Sequence, residues 1–159
     1  MIIDADALPP MPWKNGGGVT RELLRWPMSG DWRLRLSVAD IDLDGPFSAF
    51  PGVTRWFVVL DGAGVRLNCA GLERVLRPGD APLRFDGAAA PDCRLLAGPT
   101  RDLNLMLRGM QGELRAAQPG EAAPVWARLG FFASAARRLH WPADAGRAPA
   151  AGFWIGAAA

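Results

Sequence analysis

The chain has 159 residues, half of them apolar, and 18 Lys and Arg stand against 16 Asp and Glu for a formal charge of +2. This length suits one domain over 1–159, and the apolar half is enough for a core of ordinary size, which excludes a disordered chain. The small net charge and the scatter of the arginines exclude a basic stripe, so no nucleic-acid partner is expected.

The first residues, Met1-Ile2-Ile3, run into Asp4 and Asp6 with no basic start and no apolar h-region, which argues against a secretory signal. The longest apolar run, Trp56 to Leu60, is far shorter than the roughly 20 residues that span a bilayer. A cytoplasmic protein without a membrane partner is expected. Next comes Met11-Pro12-Trp13-Lys14-Asn15-Gly16-Gly17-Gly18-Val19-Thr20-Arg21-Glu22, which holds the only lysine of the chain. Three glycines read first as a flexible turn. The other reading is a rigid ligand site, because glycine admits positive φ and lets the backbone approach another group closely.

Apolar runs cut by turn residues predict strands near Thr20 to Arg25, Asp31 to Ala39, Arg55 to Leu60, Val65 to Cys69, Arg74 to Arg77, Pro82 to Phe85, Cys93 to Ala97 and Asn104 to Leu107. The turns between them include Asp61-Gly62, Ala70-Gly71 and Pro78-Gly79-Asp80, the punctuation of antiparallel hairpins. Strand after strand at short spacing predicts an all-β barrel or sandwich. No segment carries a helical stripe, and Arg128 to Leu139 reads equally as a short helix or a strand. From Gln118 the composition drifts toward Ala, Pro and Gly, so 142–159 is expected as a loosely ordered tail. With period two, Arg35, Ser37 and Ala39 share one strand face while Leu34, Leu36 and Val38 take the other. Asp102 and Asn104 share a face in the same way. Each polar face is either a pocket floor or a solvent face.

The single histidine, His140, and two lone cysteines without C-x-x-C spacing offer no converging ligand set, so no metal and no cofactor are expected. Asp86 and Asp92 read as solvated turn residues. Cys69 and Cys93 read as small buried hydrophobes in strands.

The succession of apolar run, Val59-Leu60-Asp61-Gly62-Ala63-Gly64, strand, turn, strand and Pro78-Gly79-Asp80 resembles the first half of a cupin barrel. The histidines that common cupins use for metal are missing from Phe47–Arg55 and from Phe85–Pro91. Four blocks carry a closer resemblance: Pro12 to Gly18 with Thr20 and Glu22, Arg35 to Ala39, Gly45 to Gly52 with Arg55, and Asp102 to Met106. In this order they are similar to the HutD/Ves family, over about Pro12 to Arg108. The resemblance implies a cupin-like (RmlC-like) antiparallel fold without metal, no established catalytic activity, and a role as governor of bacterial histidine utilisation through a bound intermediate. After Arg108 the chain departs from that pattern, being short and rich in Ala and Pro, so an incomplete or shortened C-terminal half is expected. A shorter family variant, or a partner chain that covers the open edge, such as a second copy in a homodimer, would each solve the edge-strand problem.

The same blocks outline a site. Lys14, Arg35 and Arg55 would favour a small anionic metabolite, because Arg offers two parallel donors to a carboxylate and Lys adds a point charge. Asn15, Ser37 and Asn104 would read a neutral amide, formyl or imidazole group, with Thr20 beside them, and Trp13, Phe47 and Phe50 would supply apolar walls. Asp102 or Glu22 would hold the Arg35 guanidinium, since a buried charge needs a partner. Two functions remain open: a non-catalytic binder of a small carboxylate, and a metal-free cupin enzyme of isomerase or epimerase type. The chain has no tyrosine, which leaves Lys14 and Glu22 as proton carriers for the second.

Overall fold

Strands and tight turns make up nearly all of the computed structural model, which describes residues 2–133, 137–140 and 146–158. Among the described residues the helical structure is limited to two 3₁₀ turns, Ala5–Ala7 and Gly87–Ala89, and no helix is long and apolar enough to cross a membrane. The strands begin with β1 (Ile2–Asp4), β2 (Met11–Pro12), β3 (Gly18–Trp26), β4 (Leu34–Ile41) and β5 (Gly45–Pro46). They continue with β6 (Val53–Asp61), β7 (Val65–Cys69), β8 (Leu72–Leu76), β9 (Leu83–Asp86) and β10 (Asp92–Leu95). The last are β11 (Thr100–Arg108), β12 (Gln111–Ala117), β13 (Leu129–Ala133), β14 (Arg137–His140) and β15 (Gly152–Ala158).

One domain was the expectation; the chain divides into two compact units, Pro9–Gly109 and Met1–Leu8 with Met110–Ala159. In the first unit, an antiparallel six-stranded sheet runs β2-β3-β4-β11-β6-β9 and a four-stranded sheet runs β5-β10-β7-β8. Period-two alternation aims Ile41, Phe57 and Val59 of the large sheet at Val65, Leu67, Leu76 and Cys93 of the small one, and all of them are buried in one cluster with Phe47. Fully burying a side chain of this size contributes about 1.5–3 kcal/mol, so this cluster fixes how the two sheets pack.

The register of the large sheet decides which polar residues meet. Across β3, β4 and β11, Thr20, Ala39 and Asp102 lie opposite one another, and Glu22, Ser37 and Asn104 form the next row. Met106 sits between Arg35 of β4 and Arg55 of β6 in the third row. A bulge in β3 between Glu22 and Leu24 shifts the pairing, so that Arg25 comes opposite Arg35. Directly opposed residues share a face, and the inner face of this sheet is therefore apolar at the Ile41 end and polar at the Arg35 and Arg55 end.

The second unit is an antiparallel five-stranded sheet in the order β1-β14-β13-β15-β12. Arg128 to Leu139, ambiguous in the sequence, supplies strands β13 and β14. The loosely ordered tail requires correction for its last part, since residues 152–158 form β15, paired with β12 on one side and β13 on the other. The glycines that suggested disorder serve close packing: a Cβ on Gly156 would stand 2.6 Å from the Trp126 carbonyl oxygen and 2.7 Å from its ring. Trp154 and Ile155 of this strand are buried. Residues 141–145 of the expected tail lie outside the described residues. Among the described residues, strands β12 to β15 follow Arg108.

Candidate functional site

A cavity of about 470 Å³ opens at the polar end of the inner face, within the unit Pro9–Gly109. Arg35, Ser37, Ala39, Asp102, Asn104, Met106 and Arg55 form its floor. The Arg35, Ser37, Ala39 face of β4 is thus a pocket floor and not a solvent face. Ten of the eleven expected site positions line the cavity: Lys14, Asn15, Thr20, Arg35, Ser37, Phe47, Phe50, Arg55, Asp102 and Asn104. Glu22 does not line it and acts on Arg35 instead.

One wall is the segment Met11 to Gly18, and its glycines have distinct tasks. The Gly16 N–H donates to the Trp13 carbonyl at 3.1 Å and the Trp13 N–H donates to the Gly18 carbonyl at 2.9 Å, closing a tight turn. Gly16 has φ +73°, a region that costs a residue with a side chain roughly 1–2 kcal/mol. The Gly17 N–H donates to Asn15 Oδ1 at 2.9 Å, so the Asn15 side chain itself builds the turn. Gly18 is needed for space, since a Cβ there would run into the Asp40 carbonyl and stand 3.3 Å from the Trp13 ring. With the ring seated there, Trp13 Nε1 donates to Thr20 Oγ1 at 2.8 Å. Turn and cavity wall are here the same object, and Lys14 stands exposed on it at the cavity.

Arg55 is buried in the floor, 4% exposed. Its guanidinium carbon lies 5.2 Å from the Phe47 ring centroid, 5.7 Å from Phe50 and 5.1 Å from Phe85, a cage that favours a cation through the ring quadrupoles. Phe47 is held in turn by edge-on contact with Trp13, at 6.3 Å between centroids. Arg55 Nη2 donates to Asn104 Oδ1 at 2.9 Å, whereas Nε and Nη1 are buried without a hydrogen-bond partner. Burial lowers the Arg55 pKa to about 10, against the opposing field of Asp102 and with a further push from Arg35.

Asn104 relays this contact, for its Nδ2 donates a short hydrogen bond to Asp102 Oδ1. Asp102 is 1% exposed, and its Oδ2 has no partner. Burial lifts the Asp102 carboxyl well above the usual carboxylate range; Arg55 and the Asn104 hydrogen bond pull it down, and Asp40 adds to the rise. Asp102 therefore holds its proton well above the pH at which an exposed aspartate releases it.

Of the two acids expected to hold Arg35, Glu22 does so: Arg35 Nε donates to Glu22 Oε1 at 2.9 Å, and Arg25 Nη2 joins at 3.2 Å. The bulge in β3 makes this sharing possible by bringing Arg25 opposite Arg35. Asp40 of β4 binds Arg21 at 2.7 Å and Arg101 at 2.8 Å. Burial raises the Asp40 pKa, but these two arginines outweigh it and hold the carboxyl below its ordinary range.

Sequence reasoning missed Met11, Pro46, Ser48 and Met106 as lining residues, and Phe85 as part of the Arg55 cage. Met106 was readable, because it continues the period-two series Asp102, Asn104. Met11 and Pro46 sit in two-residue strands too short to leave any pattern. The lining does not suit a divalent metal, since two guanidiniums and an ammonium face one carboxyl and no histidine. Among the described residues no three His, Cys, Asp or Glu side chains come together as a ligand set.

The HutD family model matches residues 5–128. A 21.2 kDa protein encoded in the hutC 3' region of Pseudomonas putida is 44% identical over 108 residues, which cover 66% of this chain and 56% of that protein. Protein Ves of Cronobacter sakazakii is 35% identical over 108 residues, covering 67% of this chain and 60% of its own. The matched part spans little more than half the length of these curated relatives. HutD of Pseudomonas fluorescens SBW25, whose structure was obtained in a formate condition, superimposes with a TM-score of 0.86 at 30% identity, covering 99% of this chain and 97% of that one. At the level of fold alone, the cupin domain of Schizosaccharomyces pombe Cnp3 superimposes with a TM-score of 0.52 at 8% identity over 65% of this chain and 70% of that one. The fold is all-β and cupin-like.

Proposed function

We propose that this chain, which belongs to the HutD family, binds a small anionic metabolite in the cavity between Arg35 and Arg55, without catalysis, and so senses or buffers that metabolite. The observation that carries this reading is Arg55, a buried guanidinium on a cavity floor with two donor nitrogens, Nε and Nη1, unpartnered. Buried donors are costly to leave unsatisfied, and a carboxylate with two oxygens is the acceptor that suits a guanidinium best. Arg35 and Lys14 add positive charge around the same space, and the rings of Trp13, Phe47 and Phe50 fit the apolar part of such a molecule. The volume of about 470 Å³ is in the range of small-molecule sites. The hut region named for the Pseudomonas putida relative supports histidine-degradation intermediates as candidates and a part in regulating histidine utilisation.

A second reading, a metal-free isomerase or epimerase acting on a small carboxylate, has one observation in its favour. Asp102 is a buried carboxyl with a raised pKa at the cavity, the type of group that general acid-base chemistry employs.

Both readings are tested by thermal unfolding of the protein with millimolar urocanate, formiminoglutamate, formylglutamate, glutamate or histidine, followed by analysis of the recovered ligand. At 100 times its dissociation constant a ligand stabilises by about 2.7 kcal/mol, a rise of roughly 5 to 10 °C for a chain of this size. A rise with one acid, recovered unchanged, is the expected result. A changed product favours the enzyme. Flat curves with all five would overturn the histidine-intermediate reading.

A further inference from the structure

Asp102 poses a problem for an anion site, because an ionised carboxylate on the cavity floor would compete with any ligand for Arg55. Its surroundings resolve the conflict. Asn104 accepts from Arg55 through Oδ1 and donates to Asp102 Oδ1 through Nδ2, so the amide is oriented from both ends. This leaves Asp102 Oδ2 as the free atom of the carboxyl, and Asn104 links that carboxyl to the Arg55 guanidinium, whose Nε and Nη1 are likewise without a partner. A neutral carboxyl at this place is a donor. Asp102, Asn104 and Arg55 all line the cavity.

We propose that the cavity takes up its anion and a proton together, with the neutral carboxyl of Asp102 donating a hydrogen bond to the bound anion next to the Arg55 guanidinium. The inference rests on the reading of the cavity as an anion site and adds what that site selects: an anion with a second acceptor atom within reach of Asp102. Asp102 is thereby the specificity-determining residue, and ionising it sets a negative charge against the ligand.

The groups around Asp102 leave it as the one whose proton burial holds against the ordinary carboxylate range. On its own strand Asn104 does not titrate, and Thr20 of β3 and Ser37 of β4 are hydroxyls. Arg55 of β6 stays a cation up to about pH 10. Asp40 of β4 is held ionised by Arg21 and Arg101. Cys93 of β10, which also feels the field of Asp102, has its thiol pushed up to about 12 by burial. Arg35 is tied to Glu22, and Lys14 stands exposed at the wall.

The test is calorimetric titration of the full chain with formylglutamate and with formate between pH 5.5 and 8.5, in two buffers of different ionisation enthalpy. Both probes are ionised throughout, with carboxyl pKa values of about 3 to 4.5. The wild type is expected to take up as much as one proton per ligand and to lose affinity toward the alkaline end, by about tenfold per pH unit once Asp102 ionises in the free protein. Asp102→Asn keeps a neutral side chain with a donor, and it is expected to bind with an affinity independent of pH and tighter than wild type at pH 8.5. Binding without proton uptake, with the same pH profile in both proteins, overturns the proposal. The proton count comes from the wild type alone, so a poorly folding variant would not shelter the idea. Absence of binding by both probes at every pH would instead bring down the anion-site reading, and this inference with it.

Discussion

Replacing Asp102 by Asn should make the protein's stability less dependent on pH, with a sign opposite to that of an ordinary paired aspartate. Asp102 is buried, its pKa is raised, and Oδ2 has no partner. In the unfolded chain an aspartate loses its proton at about pH 3.9. Above that point the native state binds more protons than the unfolded state, so wild-type stability falls as pH rises, until the native carboxyl titrates as well. The slope is about 1.4 kcal/mol per pH unit over that window. Asn has nearly the same shape, can accept from Asn104 Nδ2 through its amide oxygen, and carries no such penalty. Urea denaturation of both proteins at pH 4.5 and 5.5 should therefore show the variant gaining on the wild type by up to about 1.4 kcal/mol across this one unit, the limit for a single proton, or up to roughly 3 to 5 °C in Tm. The contributions of Asp40 and other acids cancel in the comparison. Parallel stability curves would refute the reasoning, since they would mean that native Asp102 ionises like an exposed aspartate.

Three further outcomes follow from the wall and the core. Gly18→Ala should destabilise by about 2 kcal/mol or more, because its Cβ meets the immovable Asp40 carbonyl and the Trp13 ring; Gly16→Ala should cost only about 1–2 kcal/mol for the left-handed backbone, with nothing within 4 Å of the new Cβ. Chemical denaturation separates the two. Lys14→Ala, at an exposed position, should leave the Tm unchanged and weaken carboxylate binding in a titration, and Arg35→Ala should weaken it too while costing about 1 kcal/mol of stability, since the partly buried Glu22 keeps Arg25 as its partner. If both variants unfold, those residues are structural. The Cys93 thiol, 1% exposed with its pKa pushed up to about 12, should react with a disulfide reagent only after unfolding, and fast labelling of both cysteines in the native protein would contradict the burial.

The strands of the unit Pro9–Gly109 were largely legible, because period-two alternation and glycine turns are local signals. Arg35, Ser37, Ala39 and Asp102, Asn104 were readable as faces for the same reason. What period alone could not say is whether such a face meets solvent or an interior. That depends on the pairing of β4 with β11 and on the rings of Trp13 and Phe47, which arrive from distant segments. The partner of Arg35 was also undecidable from sequence, because the bulge at Glu22 and Leu24 changes which residues oppose each other, and no local residue pattern marks it. Strand β15 was hidden by its composition: Gly152 and Gly156 look like breakers, yet both are places where another chain segment passes too close for a Cβ. Phe85 of β9 was read as a strand residue, and only the pairing of β9 with β6, which sets Phe85 opposite Arg55, brings it to the guanidinium.

The most direct measurement is a crystal structure of the protein grown with saturating formylglutamate. The ligand is expected in the cavity of the unit Pro9–Gly109, one carboxylate within hydrogen-bond distance of the Arg35 or Arg55 guanidinium and an acceptor atom against Asp102 Oδ2. A cavity free of ligand, with formylglutamate bound at some other surface, would contradict it.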